Sequence, residues 1–238
     1  MTSQYSIIIK NMSGQTMSFY AFQKQAAFAN GGSVAAILSS SLACGNLAPN
    51  ASSGAQLDFS FDVQNYVGAK STATASSQVK FNASLSMVSA KTASSSAAAV
   101  QPIDLTASTP GQPTGNSSVL SIDPLGLSAA TYQSGLPAGA FGIQVPSFTP
   151  VPMPQLYCGC AAINQDGSIT LSSFIAPLPN SQVNCTPAAI FYVGTGNHPV
   201  GQTVTYATAQ AAECDFTTGY RVITVQYNSD GSFTAKGG

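Results

Sequence analysis

Charge is what this sequence has least of. Of 238 residues, seven are Lys or Arg and eight are Asp or Glu, 6% in all, where about a quarter is usual. So few cations cannot line a phosphate-binding stripe, because each neutralised phosphate needs a Lys or Arg beside it. That excludes a nucleic-acid partner and a basic helix lying on a membrane surface. No run of about 18 apolar residues occurs, so no transmembrane helix is expected. Met1 to Lys10 lack a basic segment followed by an apolar one, which predicts no ordinary secretory signal. Tryptophan is absent and histidine occurs once. Global disorder is excluded in turn. A hydrophobic content of 44% with a net charge of −1 is the opposite of the disordered combination.

What is present is alternation. Leu57, Phe59, Phe61 and Val63 alternate with Asp58, Ser60, Asp62 and Gln64. Val79, Phe81, Ala83, Leu85 and Met87 alternate with polar residues in the same way. Period two predicts strands with one wet face, and it places Leu57, Phe59, Phe61, Val63, Val79, Phe81 and Leu85 in the core. Gly68 to Gln78 reads as the loop joining these two strands. Tyr5 to Lys10 and Met17 to Phe22 read as a second pair, joined through Ser13-Gly14-Gln15. Two further hairpins are expected around Asn164-Gln165-Asp166-Gly167 and Asn228-Ser229-Asp230-Gly231, because Asp-Gly between β-rich runs supplies the turn conformation. Ser33 to Leu42 and Ala90 to Val100 each allow one short helix. Ser89 to Ser118 reads as a long loop or linker and Pro146 to Pro154 as an extended link. The expectation is an all-β chain, an antiparallel β-sandwich with long Ser/Ala/Pro-rich loops. It forms one domain over residues 1–238, with a subdomain break placed near 89–118.

The chemistry-bearing residues are sparse. A Ser-His-Asp triad would have to use His198, which sits in the loop-like Gly194-Thr195-Gly196-Asn197-His198-Pro199. No G-x-S-x-G elbow accompanies it, and Gly194-x-Gly196 lacks the rest of a phosphate fingerprint. Asp58 and Asp62 share a strand face about 13–14 Å apart, too far for a glycosidase pair. Glu213 and Asp215 flank Cys214 ahead of a turn and read as solvated. The Asp-Gly turns lack the first and last ligands of a calcium loop. Cys158-Gly159-Cys160 is too tight for a zinc knuckle. No cofactor or metal is therefore expected. Sequons at Asn11, Asn50, Asn82, Asn116 and Asn184 are what chance supplies in a chain this rich in Asn, Ser and Thr.

Five cysteines remain: Cys44, Cys158, Cys160, Cys185 and Cys214. In a strand, Cys158 and Cys160 lie on one face about 6.8 Å apart, the outer limit of disulfide geometry. Each then needs another partner or stays free. With an odd count, at least one thiol is left for a free role or a bond between chains. The bland alternative is five inert buried thiols in a reducing compartment.

Ser3 to Asn11 with Ser13, Phe19 and Phe22-Gln23, then Phe191 to Val204, then Tyr220 to Lys236 with its Asn-Ser-Asp-Gly-Ser-Phe-Thr hairpin, resemble the RhiA-like family of rhizosphere-expressed bacterial proteins. The likeness lies mainly at the two ends and is weak over residues 89–150. It implies a protein with no enzymatic activity. A fungal branch of that family builds the octahedral vacuolar crystals that serve as gravity sensors, and the five cysteines make this chain more similar to that branch. The resemblance implies a self-assembling structural protein in a vacuolar crystal, cross-linked by disulfides and with itself as partner. A cytoplasmic location is the alternative. A nearly uncharged surface agrees, since its copies do not repel. With two thiols read as lying on one exposed strand face, Cys158 and Cys160 are the expected cross-linking residues. The competing reading is a soluble lectin-like or surface-binding module, for which Asn, Gln, Ser, Asp and aromatics are abundant.

Overall fold

In the computed structural model, residues 4–30, 36–72, 96–109, 113–149, 155–164 and 167–238 are described. They form an all-β fold. The strands in chain order are β1 (Gln4–Asn11), β2 (Met17–Gln23), β3 (Ala27–Asn30), β4 (Leu38–Leu47), β5 (Leu57–Asp62), β6 (Tyr66–Thr72), β7 (Ser96–Pro102), β8 (Ser117–Ile122) and β9 (Leu125–Leu127). They continue as β10 (Phe141–Val145), β11 (Gln155–Ile163), β12 (Ile169–Ile175), β13 (Ser181–Thr186), β14 (Ile190–Thr195), β15 (Thr203–Val204), β16 (Ala212–Asp215), β17 (Val222–Tyr227) and β18 (Phe233–Gly237).

One long sheet runs β16-β14-β2-β4-β12-β11-β6-β7, with β15 on β4. Two smaller sheets pack against it, giving two sandwiches that share a layer. The first covering sheet is β18-β17-β1-β5. Alternation in β1, β5 and β17 turns Ile7, Ile9, Phe59, Phe61, Ile223 and Val225 inward, onto Phe19, Ala21, Phe191 and Val193 of the long sheet. The second covering sheet is β3-β13-β10-β8-β9. Its Leu120, Phe141, Ile143 and Val183 meet Val67, Ala69, Cys158 and Ile175.

Between the two cores the long sheet is held by a narrow seam. β4 and β12 pair there only through Ser173↔Ser39 and Phe174↔Leu38. Buried hydroxyl residues gather at the seam: Ser39, Ser40, Ser41, Thr170, Ser172 and Ser173. Ser173 Oγ accepts the Ala26 amide at 2.9 Å.

Several expectations hold. Leu57–Asp62 is a strand with Phe59 and Phe61 buried, and Leu57 packs half-buried against the same core. Val63 is half-buried just past the strand end. Both Asp-Gly hairpins form, as β11–β12 and β17–β18. The expected strand over Val79–Met87, with Val79, Phe81 and Leu85, lies outside the described residues.

Others are corrected. β1 and β2 do not pair with each other; β1 lies between β17 and β5, and β2 between β14 and β4. The cause is Asn11. Its buried amide donates to the carbonyls of Gln15 at 2.7 Å and Leu47 at 3.0 Å, while its Oδ1 accepts from the Ser13 backbone at 3.0 Å. This Asx turn passes the chain from one layer to the other. Gly68 to Thr72 belongs to strand β6 rather than to a loop. Both expected helices fail where they are described: Leu38 to Leu42 is strand in β4, and Ser96 to Val100 is strand in β7, paired residue for residue with β6. A ready-made sheet edge outweighs the weak helix preference of Ala. The Ser89–Ser118 stretch holds β7 and the start of β8. Each sandwich draws strands from both ends of the chain, β1 with β17 in one and β3 with β13 in the other.

Candidate functional site

Strand β11 carries Cys158 and Cys160 on one side, as the spacing predicts. That side is not exposed. The sheet containing β13 covers it, so Cys158 is fully buried and Cys160 is 4% exposed. Cys185 on β13 and Cys214 on β16 are also fully buried. Burial pushes the thiols of Cys158 and Cys214 up to about 12, because a thiolate is poorly solvated there. The Glu213 charge adds to the effect at Cys214. Such thiols stay protonated and are not nucleophiles in the folded chain. The expectation that Cys158 or Cys160 presents itself to another molecule is therefore corrected. Cys44 is the half-exposed member of the five, with its thiol 3.6 Å from Asn197 Oδ1.

His198 leans on Tyr20, ring centroids 4.3 Å apart. Its Nδ1 is buried, and among the described residues nothing hydrogen-bonds to it; a triad holds that nitrogen with a carboxylate. Glu213 accepts from the Tyr192 hydroxyl at 2.9 Å. Burial first, and Glu213 second, raise that phenol. Asp215 caps the single 3-10 turn that follows it, accepting the Thr217 amide at 2.8 Å. Each of these two carboxylates thus holds a hydrogen bond within the fold. Two of the sequon asparagines, Asn11 and Asn116, are fully buried, and Asn116 is tied to Gln133 through both backbone groups at 2.8 and 3.1 Å. Among the described residues no group of three His, Cys, Asp or Glu could hold a metal ion, and no helix is long and apolar enough to cross a membrane.

Two surfaces stand out. A cleft of about 1150 Å³ opens where the sandwiches meet. Aromatic and aliphatic side chains such as Tyr5, Phe59 and Leu42 line it together with Asp58, Asp62 and Lys70. Gln4 Nε2 donates to Asp62 at 3.4 Å, and burial together with Asp62 raises the Tyr66 phenol. The second surface is the outer face of β3-β13-β10-β8-β9. The five strands read AFAN, SQVNCT, FGIQV, SSVLSI and LGL, without one Lys, Arg, Asp, Glu or His. Val119, 45% exposed, stands beside Gln144 on the neighbouring strand, with Ser121 exposed further along β8. A shallow hollow beside them is lined by Ala29, Gln133, Gln182 and Asn184. In the sequence, residues 125 to 157 are free of charge, but that span holds only β9 and β10 of this face. The strands that turn it into one sheet come from four separate parts of the chain.

No family model, no curated protein and no solved structure matches this chain.

Proposed function

We propose that this chain is a non-enzymatic structural protein that associates with copies of itself into a dense body. The observation that carries the reading is the uncharged outer sheet. Packing two charged surfaces together requires each charge to be paired or stripped of water. A face of Gln, Asn, Ser, Ala and Val avoids that cost and offers amides and hydroxyls for hydrogen bonds between copies. Elsewhere seven basic and eight acidic side chains share an accessible surface of 13198 Å², so long-range repulsion between copies is weak. The resemblance of the chain ends to the RhiA-like family, and within it to the crystal protein octin, points the same way. On that resemblance the body is a vacuolar crystal of a fungus with a gravity-sensing role, and a covalent bond between copies falls to Cys44. Sedimentation of the purified chain over a range of concentrations tests this. Large species growing with concentration, with or without reductant, support it; a monomer at every concentration contradicts it.

A second reading has its own observation, the cleft between the sandwiches. Acidic and amide side chains beside aromatic rings suit a sugar, whose hydroxyls need acceptors and whose ring faces need an apolar partner. On this reading the chain is a lectin-like module, and a glycan array decides it.

A further inference from the structure

The thiols of Cys160 and Cys185 approach to 3.3 Å in the core of the second sandwich. They come from different layers: Cys160 from β11 in the long sheet, Cys185 from β13 in the covering sheet. We propose that Cys160 and Cys185 form an intrachain disulfide that staples the two layers together. This does not rest on the reading of self-association.

The local structure aims one particular thiol at Cys185. Strand β11 shifts register against β12 between Cys160 and Ala161, and an irregularity of this kind re-aims the neighbouring side chain. Gly159 lets β11 lie close against β12 beside this irregularity, since a β carbon there would run into the Ser173 carbonyl. Cys158 lies on the same side and close enough to act electrostatically on Cys185, but the sulfur contact belongs to Cys160. From that contact to an S–S bond the sulfurs need to approach by only about 1.3 Å. Their separation along the chain is 25 residues, a loop long enough for its closure to restrict the unfolded chain substantially.

The bond requires the loss of two protons and two electrons. The oxidant is a low-molecular-weight disulfide. The thiolate of one cysteine attacks it and releases one small thiol, leaving a mixed disulfide on the chain. The second cysteine then attacks the first cysteine's sulfur and displaces the other small thiol. In the folded protein both thiols are buried, and burial raises that of Cys185, so this exchange takes place while the two layers are still apart. Once formed, the bond is shielded from reductants by the same burial.

The test is refolding from denaturant in a mixture of oxidised and reduced glutathione, followed by alkylation of the remaining thiols in denaturant and mass spectrometry. The expected result is three alkylated cysteines of the five present, with the Cys185 peptide joined to the peptide containing Cys158 and Cys160. Fragmentation between Cys158 and Cys160 assigns the bond in the wild-type chain directly. It therefore holds whether or not a variant folds. In Cys158→Ala the joined peptide persists; in Cys160→Ala it is lost. The melting temperature of the wild-type chain falls by roughly 5–10 °C on reduction in denaturant and refolding under reductant. Five alkylated cysteines, a bond from Cys185 to Cys158, or a bond between two chains overturns the proposal.

Discussion

Phe61 and Phe191 stack face to face across the first sandwich, ring centroids 4.4 Å apart and planes within 6° of each other. One comes from β5 in the covering sheet, the other from β14 in the long sheet. Phe191 also meets Phe216 edge-on at 5.9 Å, so the pair sits inside an aromatic cluster that fastens the layers. Aromatic contacts of this kind add to the burial of the rings themselves.

Phe191→Ala should therefore destabilise the fold by about 3–5 kcal/mol, and Phe61→Ala by a similar amount. Urea denaturation monitored by circular dichroism checks this. A loss under 1 kcal/mol for both would show that the first sandwich is held elsewhere.

Asn164 and Asn228 do the same work in two hairpins of different sheets. Asn164 Nδ2 donates to Ser168 Oγ at 2.8 Å and Thr170 Oγ1 at 3.0 Å. Asn228 Nδ2 donates to Ser232 Oγ at 3.0 Å and Thr234 Oγ1 at 3.2 Å. Replacing Asn228 by Ala should cost about 0.5–1.5 kcal/mol and leave β1 and β17 paired. Hydrogen exchange should quicken in β18 and not in β1. Equal loss of protection in both strands would contradict a local role.

These hairpins were the most legible part of the chain, because an Asp-Gly turn and its flanking strands are neighbours in sequence. Leu57 to Asp62 was legible for a similar reason: one strand, one wet face, clean alternation. Legibility fails where pairing is distant. Nothing near Tyr5 announces that its strand lies beside Val222 to Tyr227. Strand β4 was misread because its buried positions include Ser39, Ser40 and Ser41, which carry no hydrophobic period. The cysteines show both sides. Their shared face on β11 followed from spacing, whereas its burial depended on a sheet built from strands far along the chain. The closeness of Cys160 to Cys185 is a tertiary fact with no local signature.

Burial of thiols gives the stability an alkaline limit. Cys158 and Cys214 titrate near 9.0 when solvated and are pushed up to about 12 in the fold. Above pH 9 the unfolded chain loses these protons before the folded one, so the unfolded state gains. Stability contributed by the two protonated thiols is full below pH 9 and falls as pH rises toward 12. Melting temperatures from pH 7 to pH 10.5 should be level at first and then decline. In Cys214→Ala the decline should be shallower at equal ionic strength; an unchanged slope would contradict this origin.

Thiol labelling of the native chain should modify Cys44 first. The reagent should reach the buried thiols of Cys158 and Cys214 only on the timescale of unfolding. Cys44→Ser should then abolish reductant-sensitive dimers on a gel while leaving non-covalent association in place. Cross-linking that survives Cys44→Ser would place the bond on a residue that is buried here.

Self-association through the uncharged sheet is tested most directly by placing charge on it. Gln144→Lys and Ser121→Lys add two like charges at exposed positions of β10 and β8, with the loss of the exposed Ser121 Oγ hydrogen bond to the Pro124 carbonyl. Sedimentation velocity of this double variant and of the wild-type chain, at matched concentration and low salt, is the deciding measurement. Wild type should sediment as assemblies that grow with concentration. The variant, with an unchanged circular dichroism spectrum, should sediment as a monomer and regain association as salt screens the lysines. Assemblies of the same size in both proteins would contradict the account.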